Sequence, residues 1–352
     1  MKKIIAILMI VIMLGLNLAS CGLQGQLIEH PTNEKNTSNS DSDSGSDSAE
    51  STDTDTDGEL DTEVEPKDEG AKLVGFCTED SLYSGPFNSQ VGWKAAGMGY
   101  IIKTETGKLI VVDGGNTNDA VNFYNLLRRY SDTEHITIDY WILTHPHGDH
   151  VNCLIEMSEY NHMVNNIELK NLVYYFPEGF KDKNGNTCVA YKEMIHSVAK
   201  KFGANEIEPK TGSTILADDA KIKFLYVPTD YEVLNNTNQL SLIFTVTTEK
   251  KIMFTGDAFN HSLTLLANTK KEDLKCDILQ MPHHFLCDTG YKPFYEYADA
   301  ETLLLPTCVS GYDAMKNSDE YKNSTANKAN QFAESNAKYV YKAFDGNFEI
   351  DI

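Results

Sequence analysis

Four metal-capable side chains, His145, His147, Asp149 and His150, fall within six residues in the run Thr144-His145-Pro146-His147-Gly148-Asp149-His150. The run directly follows Tyr140-Trp141-Ile142-Leu143, an apolar stretch that reads as the end of a buried strand over 136–143. A chain with this arrangement ends a strand in a loop able to collect cations. Neutral imidazole and carboxylate suit borderline divalent metals, zinc first, with manganese or iron as alternatives. On an extended segment, side chains at i and i+2 share a face, so His145 and His147 can hold one ion. Asp149 and His150 lie past the bend at Gly148 and can face a second.

The surrounding pattern alternates strands with helices. Residues 98–103 and 109–112 alternate in polarity around Glu105-Thr106-Gly107, which reads as a hairpin. A helix opens at Asn118 and runs to Tyr130, with Val121, Phe123, Leu126 and Leu127 on its expected buried side. Helices are also expected over 151–160, 190–202 and 328–336. In the second of these Met194, Val198 and Phe202 recur at helical spacing, so Met194 reads as core rather than as a ligand. Further strands are expected over 172–176, 222–227, 240–247, 251–255, 276–281, 302–305, 339–341 and 348–352. This alternation, without an internal repeat, predicts an α/β fold in layers.

The His-x-His-x-Asp-His run resembles the signature of the metallo-β-lactamase superfamily, and further landmarks follow in order. Val111-Val112-Asp113-Gly114-Gly115 precedes it, Phe254-Thr255-Gly256-Asp257 matches the segment of the bridging carboxylate, and Ile278-Leu279-Gln280-Met281-Pro282-His283-His284 matches the segment of the last ligand. More narrowly, Pro228, Asn238-Gln239-Leu240-Ser241-Leu242, Pro282-His283-His284-Phe285 and the closing Gly346-Asn347-Phe348 look like the hydrolase domain of the DNA-internalisation competence proteins, the ComEC type. The resemblance implies a four-layer αββα sandwich with two divalent metals at one edge between two sheets. It implies His145 and His147 on one metal, Asp149, His150 and one of the later His pair on the other, and Asp257 between them. His283 is the expected ligand of that pair. Asp149 and His284 are the expected catalytic groups, with His284 free to give a proton to the leaving group. Asp113 is expected to orient the loop rather than bind metal. Asn238 and Ser241 are either donors at the site's edge or residues that shape the start of a strand.

Two features depart from the family pattern. No histidine between the signature and Asp257 occupies the usual place of a third ligand: His162 follows the signature too closely, and His196 lies in a helical stretch. The Gly-Ser that follows the His pair in the competence-type group is Phe285-Leu286 here.

The chain's start carries a different message. Lys2 and Lys3 precede an apolar run over 4–16, then Leu18-Ala19-Ser20-Cys21, which resembles the bacterial lipoprotein cleavage box. Residues 1–20 are expected to be a signal peptide and Cys21 to carry lipid, anchoring the protein to the cell membrane on its outer side. Residues 21–70 are rich in Ser, Thr, Asp and Glu, as in Thr52-Asp53-Thr54-Asp55-Thr56-Asp57. They are expected to form a disordered tether, because so little apolar surface does not offset the entropy of ordering. Fully stretched, such a segment reaches on the order of 160 Å. Residues 71–352 form the expected hydrolase domain.

The formal charge is −22; from Ala71 onward 26 Lys and Arg stand against 37 Asp and Glu. That excess argues against an extensive nucleic-acid surface but leaves room for one phosphodiester at a dication site. Beyond Cys21, six cysteines (Cys77, Cys153, Cys188, Cys276, Cys287 and Cys308) contain no Cys-x-x-Cys pair, which argues against a structural zinc cluster. Outside the membrane their fifteen full disulfide pairings stay open, and Cys153 and Cys287, which could approach the site, read as buried free thiols. The leading expectation is a surface-anchored metal-dependent hydrolase. Its metal pair supplies the hydroxide that attacks a phosphodiester, either a small molecule or a polymer end. A lactone or amide hydrolase and a non-catalytic surface binding protein are the alternatives.

Overall fold

Side-chain alternation along the strands assigns their residues to different cores. In Leu109–Asp113, Leu109 and Val111 join one buried cluster and Ile110 and Val112 another. In Thr302–Leu305, Leu303 and Leu305 face one cluster and Leu304 the next. Each strand is thus buried on both faces, as required of a sheet sandwiched between layers.

The computed structural model describes residues 70–87, 97–229 and 234–352. The expected signal peptide, the lipidated Cys21 and the acidic segment up to residue 69 lie outside the described residues. Asp68–Ile352 form one compact unit. In chain order the strands are β1 (Lys72–Gly75), β2 (Gly99–Lys103), β3 (Leu109–Asp113), β4 (Ile136–Ile138), β5 (Tyr140–Ile142), β6 (Ile167–Leu169), β7 (Asn171–Val173), β8 (Asn205–Ile207), β9 (Thr214–Ala217), β10 (Ala220–Tyr226), β11 (Ile243–Thr247), β12 (Lys251–Phe254), β13 (Ile278–Gln280), β14 (Thr302–Leu305), β15 (Tyr339–Lys342) and β16 (Phe348–Asp351). The main helices are α1 (Ala120–Tyr130), α2 (Gly148–Met157), α3 (Val189–Phe202), α4 (Asn260–Thr269), α5 (Lys292–Ala298), α6 (Val309–Asn317) and α7 (Thr325–Asn336).

Two seven-stranded sheets result, in the orders β16-β1-β2-β3-β5-β7-β8 and β15-β14-β13-β12-β11-β10-β9. Each is half antiparallel and half parallel. Hairpin-like pairing joins β1, β2 and β3, and likewise β9 to β12, while β3-β5-β7-β8 and β12-β13-β14-β15 run parallel. Parallel neighbours need crossovers. α1, α2 and α3 supply them in the first sheet, and α4, α5 and the α6–α7 pair in the second. Three clusters of buried side chains separate the layers. Helices α1, α2 and α3 pack on the first sheet around Phe123, Trp141 and Leu154; the sheets meet around Ile110, Phe244 and Phe254; α4, α5 and α7 pack on the second sheet around Leu263, Phe294 and Ala333. This is the expected αββα order. The carboxyl ends of β3, β5, β12 and β13 reach one edge of the sandwich, where open α/β sheets place their ligands.

Several local expectations are corrected. The strand expected over 136–143 is two short strands. Asp139 interrupts it by taking Lys170 on its carboxylate at 3.0 Å, and β4 pairs with β6 in a separate two-stranded sheet. Val121 is 51% exposed, because the buried stripe of α1 falls on Phe123, Tyr124, Leu126 and Leu127. Met194 is 38% exposed, one position off the buried stripe of Ile195, Val198 and Ala199. The six cysteines from Cys77 onward are free thiols, four of them buried. Among the described residues, no helix is long and apolar enough to cross a membrane.

Candidate metal centre

Asp113, the last residue of β3, is fully buried in a left-handed conformation (φ 53°) that few non-glycine residues adopt. Three donors and one neighbouring loop hold it there. The Thr144 amide donates to Oδ1 at 2.8 Å, the Thr144 hydroxyl to Oδ2 at 2.7 Å, and His150 Nδ1 to Oδ2 at 2.7 Å. The Trp141 indole donates to the Asp113 carbonyl at 2.8 Å. Burial pushes the Asp113 carboxyl up against the lowering effect of His150 and the two Thr144 donors. His150, although burial disfavours its charge, is raised well above the ordinary imidazole value by the carboxylates around it, which places the shared proton on His150. Asp113 therefore anchors the loop after β5, as expected.

The same bonds fix the tautomers of the ring nitrogens. Because the Thr144 hydroxyl already donates to Asp113, it accepts from His145 Nδ1 at 3.1 Å, which leaves Nε2 of His145 with a lone pair. His150 donates through Nδ1 and presents Nε2. His284 donates through Nδ1 to the Pro306 carbonyl at 2.7 Å and also presents Nε2. The Thr237 hydroxyl meets Nε2 of His147, leaving Nδ1.

These free atoms converge. Asp149, His150, Asp257 and His284 form one group able to hold a metal, and His145, His147 and Asp257 a second, with Asp257 common to both. Nε2 of His284 lies 3.2 Å from Asp149 Oδ2 and 3.2 Å from Asp257 Oδ2; Nε2 of His150 lies 3.3 Å from Asp257 Oδ1 and 3.6 Å from Asp149 Oδ2; Nε2 of His145 lies 3.6 Å from Asp257 Oδ2. Despite that proximity, Nε2 of His145, His150 and His284 and Oδ1 of Asp257 are buried and make no hydrogen bond. Ligands about 2.1 Å from a tetrahedral ion stand about 3.4 Å from one another. Buried donors at that separation, aimed at common points rather than at each other, fit two divalent cations.

The electrostatics follow from the crowding. Burial pushes the Asp257 and Asp149 carboxyls up. His284, His150 and His145 around Asp257, and His150 and His284 around Asp149, outweigh it and hold both well below the usual carboxylate range. Burial likewise disfavours charge on His150 and His284. Here Asp257 and Asp149 prevail: His150 is raised well above the ordinary imidazole value and His284 is raised to about 10. Burial, reinforced by His150, pushes His145 well down, and burial lowers His147.

The His pair departs from expectation. His284, not His283, falls in the ligand group: the Pro306 carbonyl holds its Nδ1, and its Nε2 faces Asp149 and Asp257. His283 instead donates through Nδ1 to Asp288 at 2.7 Å, while its Nε2 meets Asn238 at 3.0 Å and lies 3.9 Å from Asp257. The turn that separates the two rings carries three successive left-handed residues, His283, His284 and Phe285, at φ 46°, 53° and 64°. Sparsely populated conformations of this kind cost on the order of 1–3 kcal/mol each. Asn330 offsets this by donating to the Leu286 and Thr289 carbonyls at 3.0 and 2.8 Å. Phe285 and Leu286 point into the core beneath the second sheet, so they pack rather than line the site.

The turn that presents Asp257 is held as closely. Gln280, fully buried at the end of β13, accepts from the Thr255 and Gly256 amides at 2.8 Å and donates to the Gly256 and Met281 carbonyls. Gly256 has φ 52°, and a Cβ there would lie 2.9 Å from Thr144 Cβ. Ser241 Oγ accepts from the Asp257 amide at 3.0 Å, so Ser241 supports this turn. Sequence reasoning did not single out Gln280, Thr237, Asp288 or Asn330. Gln280 alone carried a signal, as a polar residue at the end of an otherwise apolar strand. His162 packs against Tyr124 and Tyr160, and His196 pairs with Glu206 at 2.6 Å; neither belongs to the ligand groups.

The profile of the family described as "Metallo-beta-lactamase superfamily" matches residues 96–289. Comparison with curated proteins returns no match. Among solved structures, the chain is similar to the metallo-β-lactamase fold protein YhfI from Bacillus subtilis at 14% identity, covering 80% of this chain and 100% of that one with a TM-score of 0.45. It is similar to CmlA, a diiron β-hydroxylase from Streptomyces venezuelae, at 10% identity over 80% of this chain and 54% of that one, TM-score 0.47. It is also similar to Tm1679, a metal-dependent hydrolase of the β-lactamase superfamily, at 12% identity over 80% and 99%, TM-score 0.40.

Proposed function

The chain belongs to the metallo-β-lactamase superfamily, and from that premise we propose that it is a dinuclear metal-dependent hydrolase of phosphodiesters, held outside the cell by lipid on Cys21. The observation that carries the reading is the pair of donor groups sharing Asp257, one carboxylate oxygen near His150 and the other near His145 and His284. Two divalent ions bound there would supply an activated water and neutralise charge on a transferring phosphoryl group.

The chain's own part is preorganisation. Four imidazoles have one nitrogen committed to the protein, so they present the other without rearrangement. Asp257 spaces the two groups. Asp149, whose side chain is 19% exposed, marks where the site meets solvent and where a substrate enters. The acidic balance from Ala71 onward favours a small phosphodiester or a polymer end over a long polyanion lying across the surface. The lactone and amide alternative is disfavoured because the third histidine of those groups' motif is missing from the His145–His147 group among the described residues.

The test is a substrate panel on the full chain supplied with zinc or manganese: bis-nitrophenyl phosphate, a chromogenic cephalosporin and a lactone. Turnover of the phosphodiester, lost on chelation and recovered on adding metal back, is the expected result. Turnover of the cephalosporin or lactone alone would overturn the substrate class, and turnover of none would favour a binding role.

A further inference from the structure

A buried amide oxygen beside the site lacks a partner. Asn238, in the single turn Thr237–Leu240, is 8% exposed, and its Oδ1 makes no hydrogen bond. Such an atom gives up its water and receives nothing from the protein in return. With Asn327 Oδ1 the one exception, the other buried side-chain atoms in this condition among the described residues are His145 Nε2, His150 Nε2, Asp257 Oδ1 and His284 Nε2, all in the metal groups.

The amide's orientation follows from its neighbours. Asp288 accepts from His283 Nδ1 at 2.7 Å, so Nε2 of His283 carries a lone pair and accepts from Asn238 Nδ2 at 3.0 Å. The flipped amide would set two lone pairs against each other. Nε2 of His283 lies 3.9 Å from Asp257 Oδ2, and the preceding residue, Thr237, meets His147. Asn238 thus adjoins two residues that border the site: His283, which its amide nitrogen meets and which lies near Asp257, and Thr237, its chain neighbour, which meets His147. The His145–His147 group contains three donors, one of them the shared Asp257, and no third histidine among the described residues.

We propose that Asn238 Oδ1 is the missing protein ligand of the His145–His147 metal position, with Asp288 and His283 as positioning residues that turn the amide toward it. This rests on the two-metal reading above. An amide oxygen is a harder donor than imidazole, and it suits manganese better than the usual histidine would. The position should hold zinc more weakly than its neighbour does.

Zinc titration of the full chain against a competing chelator, with circular dichroism to verify folding, tests this on wild type, Asn238→Ala and Asn238→His. Wild type should take two zinc ions of unequal affinity. Asn238→Ala should weaken the weaker one by about tenfold or more and leave the other unchanged. Asn238→His should tighten the weaker one. Unchanged affinities in folded Asn238→Ala would overturn the proposal. If Asn238→Ala does not fold, an unchanged weaker affinity in Asn238→His would overturn it. Failure of wild type to bind zinc or manganese would defeat the two-metal reading itself, and with it this inference, and is distinguishable because it appears in the unmutated chain.

Discussion

At the scale of the residue, Asp257 carries the most consequence because one carboxylate faces both ligand groups. Asp257→Ala should reduce bound metal at both positions and abolish hydrolysis together. Asp257→Asn keeps the size but removes a charge that helps neutralise two dications, so it should lose at least one ion. Elemental analysis beside a chromogenic phosphodiester assay checks both; full metal and full activity in Asp257→Ala would defeat the dinuclear reading. Protons should report the same chemistry. Burial disfavours charge on His150 and His284, but Asp257 and Asp149 outweigh it, raising His284 to about 10 and His150 well above its ordinary value. Without metal, both imidazoles hold their protons at pH 7. A ligating Nε2 must give its proton up, so metal uptake should release one from each ring, and affinity should rise with pH from 7 toward 10. Calorimetry in buffers of different ionisation enthalpy measures this, and uptake with no proton release would place the metals elsewhere.

At the scale of the element, two turns hold the site, and both depend on buried amides. Gln280→Ala would strand the Thr255 and Gly256 amides, and a destabilisation of about 2–4 kcal/mol is expected, read by chemical denaturation, together with weakened metal binding. Loss of metal without loss of stability would mean that Gln280 acts on the site directly. His196→Ala is the contrasting case. Its ring is half exposed on α3 and pairs with Glu206, so stability should move by no more than about 0.5 kcal/mol and metal content should hold. Metal loss there would identify His196 as a ligand that the present geometry does not use. The β-strands leading to the site were legible because compact apolar runs, such as 109–112 and 140–143, are set directly before polar site residues. Helices α4, α5 and α6 were not singled out: their buried residues are interleaved with Asn, Ser, Thr, Lys and Asp, which blurs the periodicity.

At the scale of the whole molecule, the acidic segment and the folded unit should behave independently. Deleting residues 33–70 should leave the melting temperature and turnover of small substrates nearly unchanged, since the segment lacks apolar periodicity. A clear drop in melting temperature would show that it packs on the domain. Cys21→Ala should move the protein out of the detergent phase or leave it unprocessed; equal partitioning after processing at the same site would sink the lipid anchor.

The sequence alone determined which atoms were available and where the strands would deliver them. Residue spacing puts His145 and His147 on one side of an extended segment, and the resemblance of Phe254-Thr255-Gly256-Asp257 to a family landmark marked Asp257 at the end of a strand. The sequence did not distinguish His283 from His284, because two adjacent residues of the same type have the same local preferences. Only the tertiary structure decided that choice. The Pro306 carbonyl, brought in from the end of β14, draws Nδ1 of His284 and aims its Nε2 at Asp149 and Asp257, whereas Asp288 holds His283 to one side. Long-range partners, which local sequence does not encode, brought one ring of the pair into the donor group and held the other beside it.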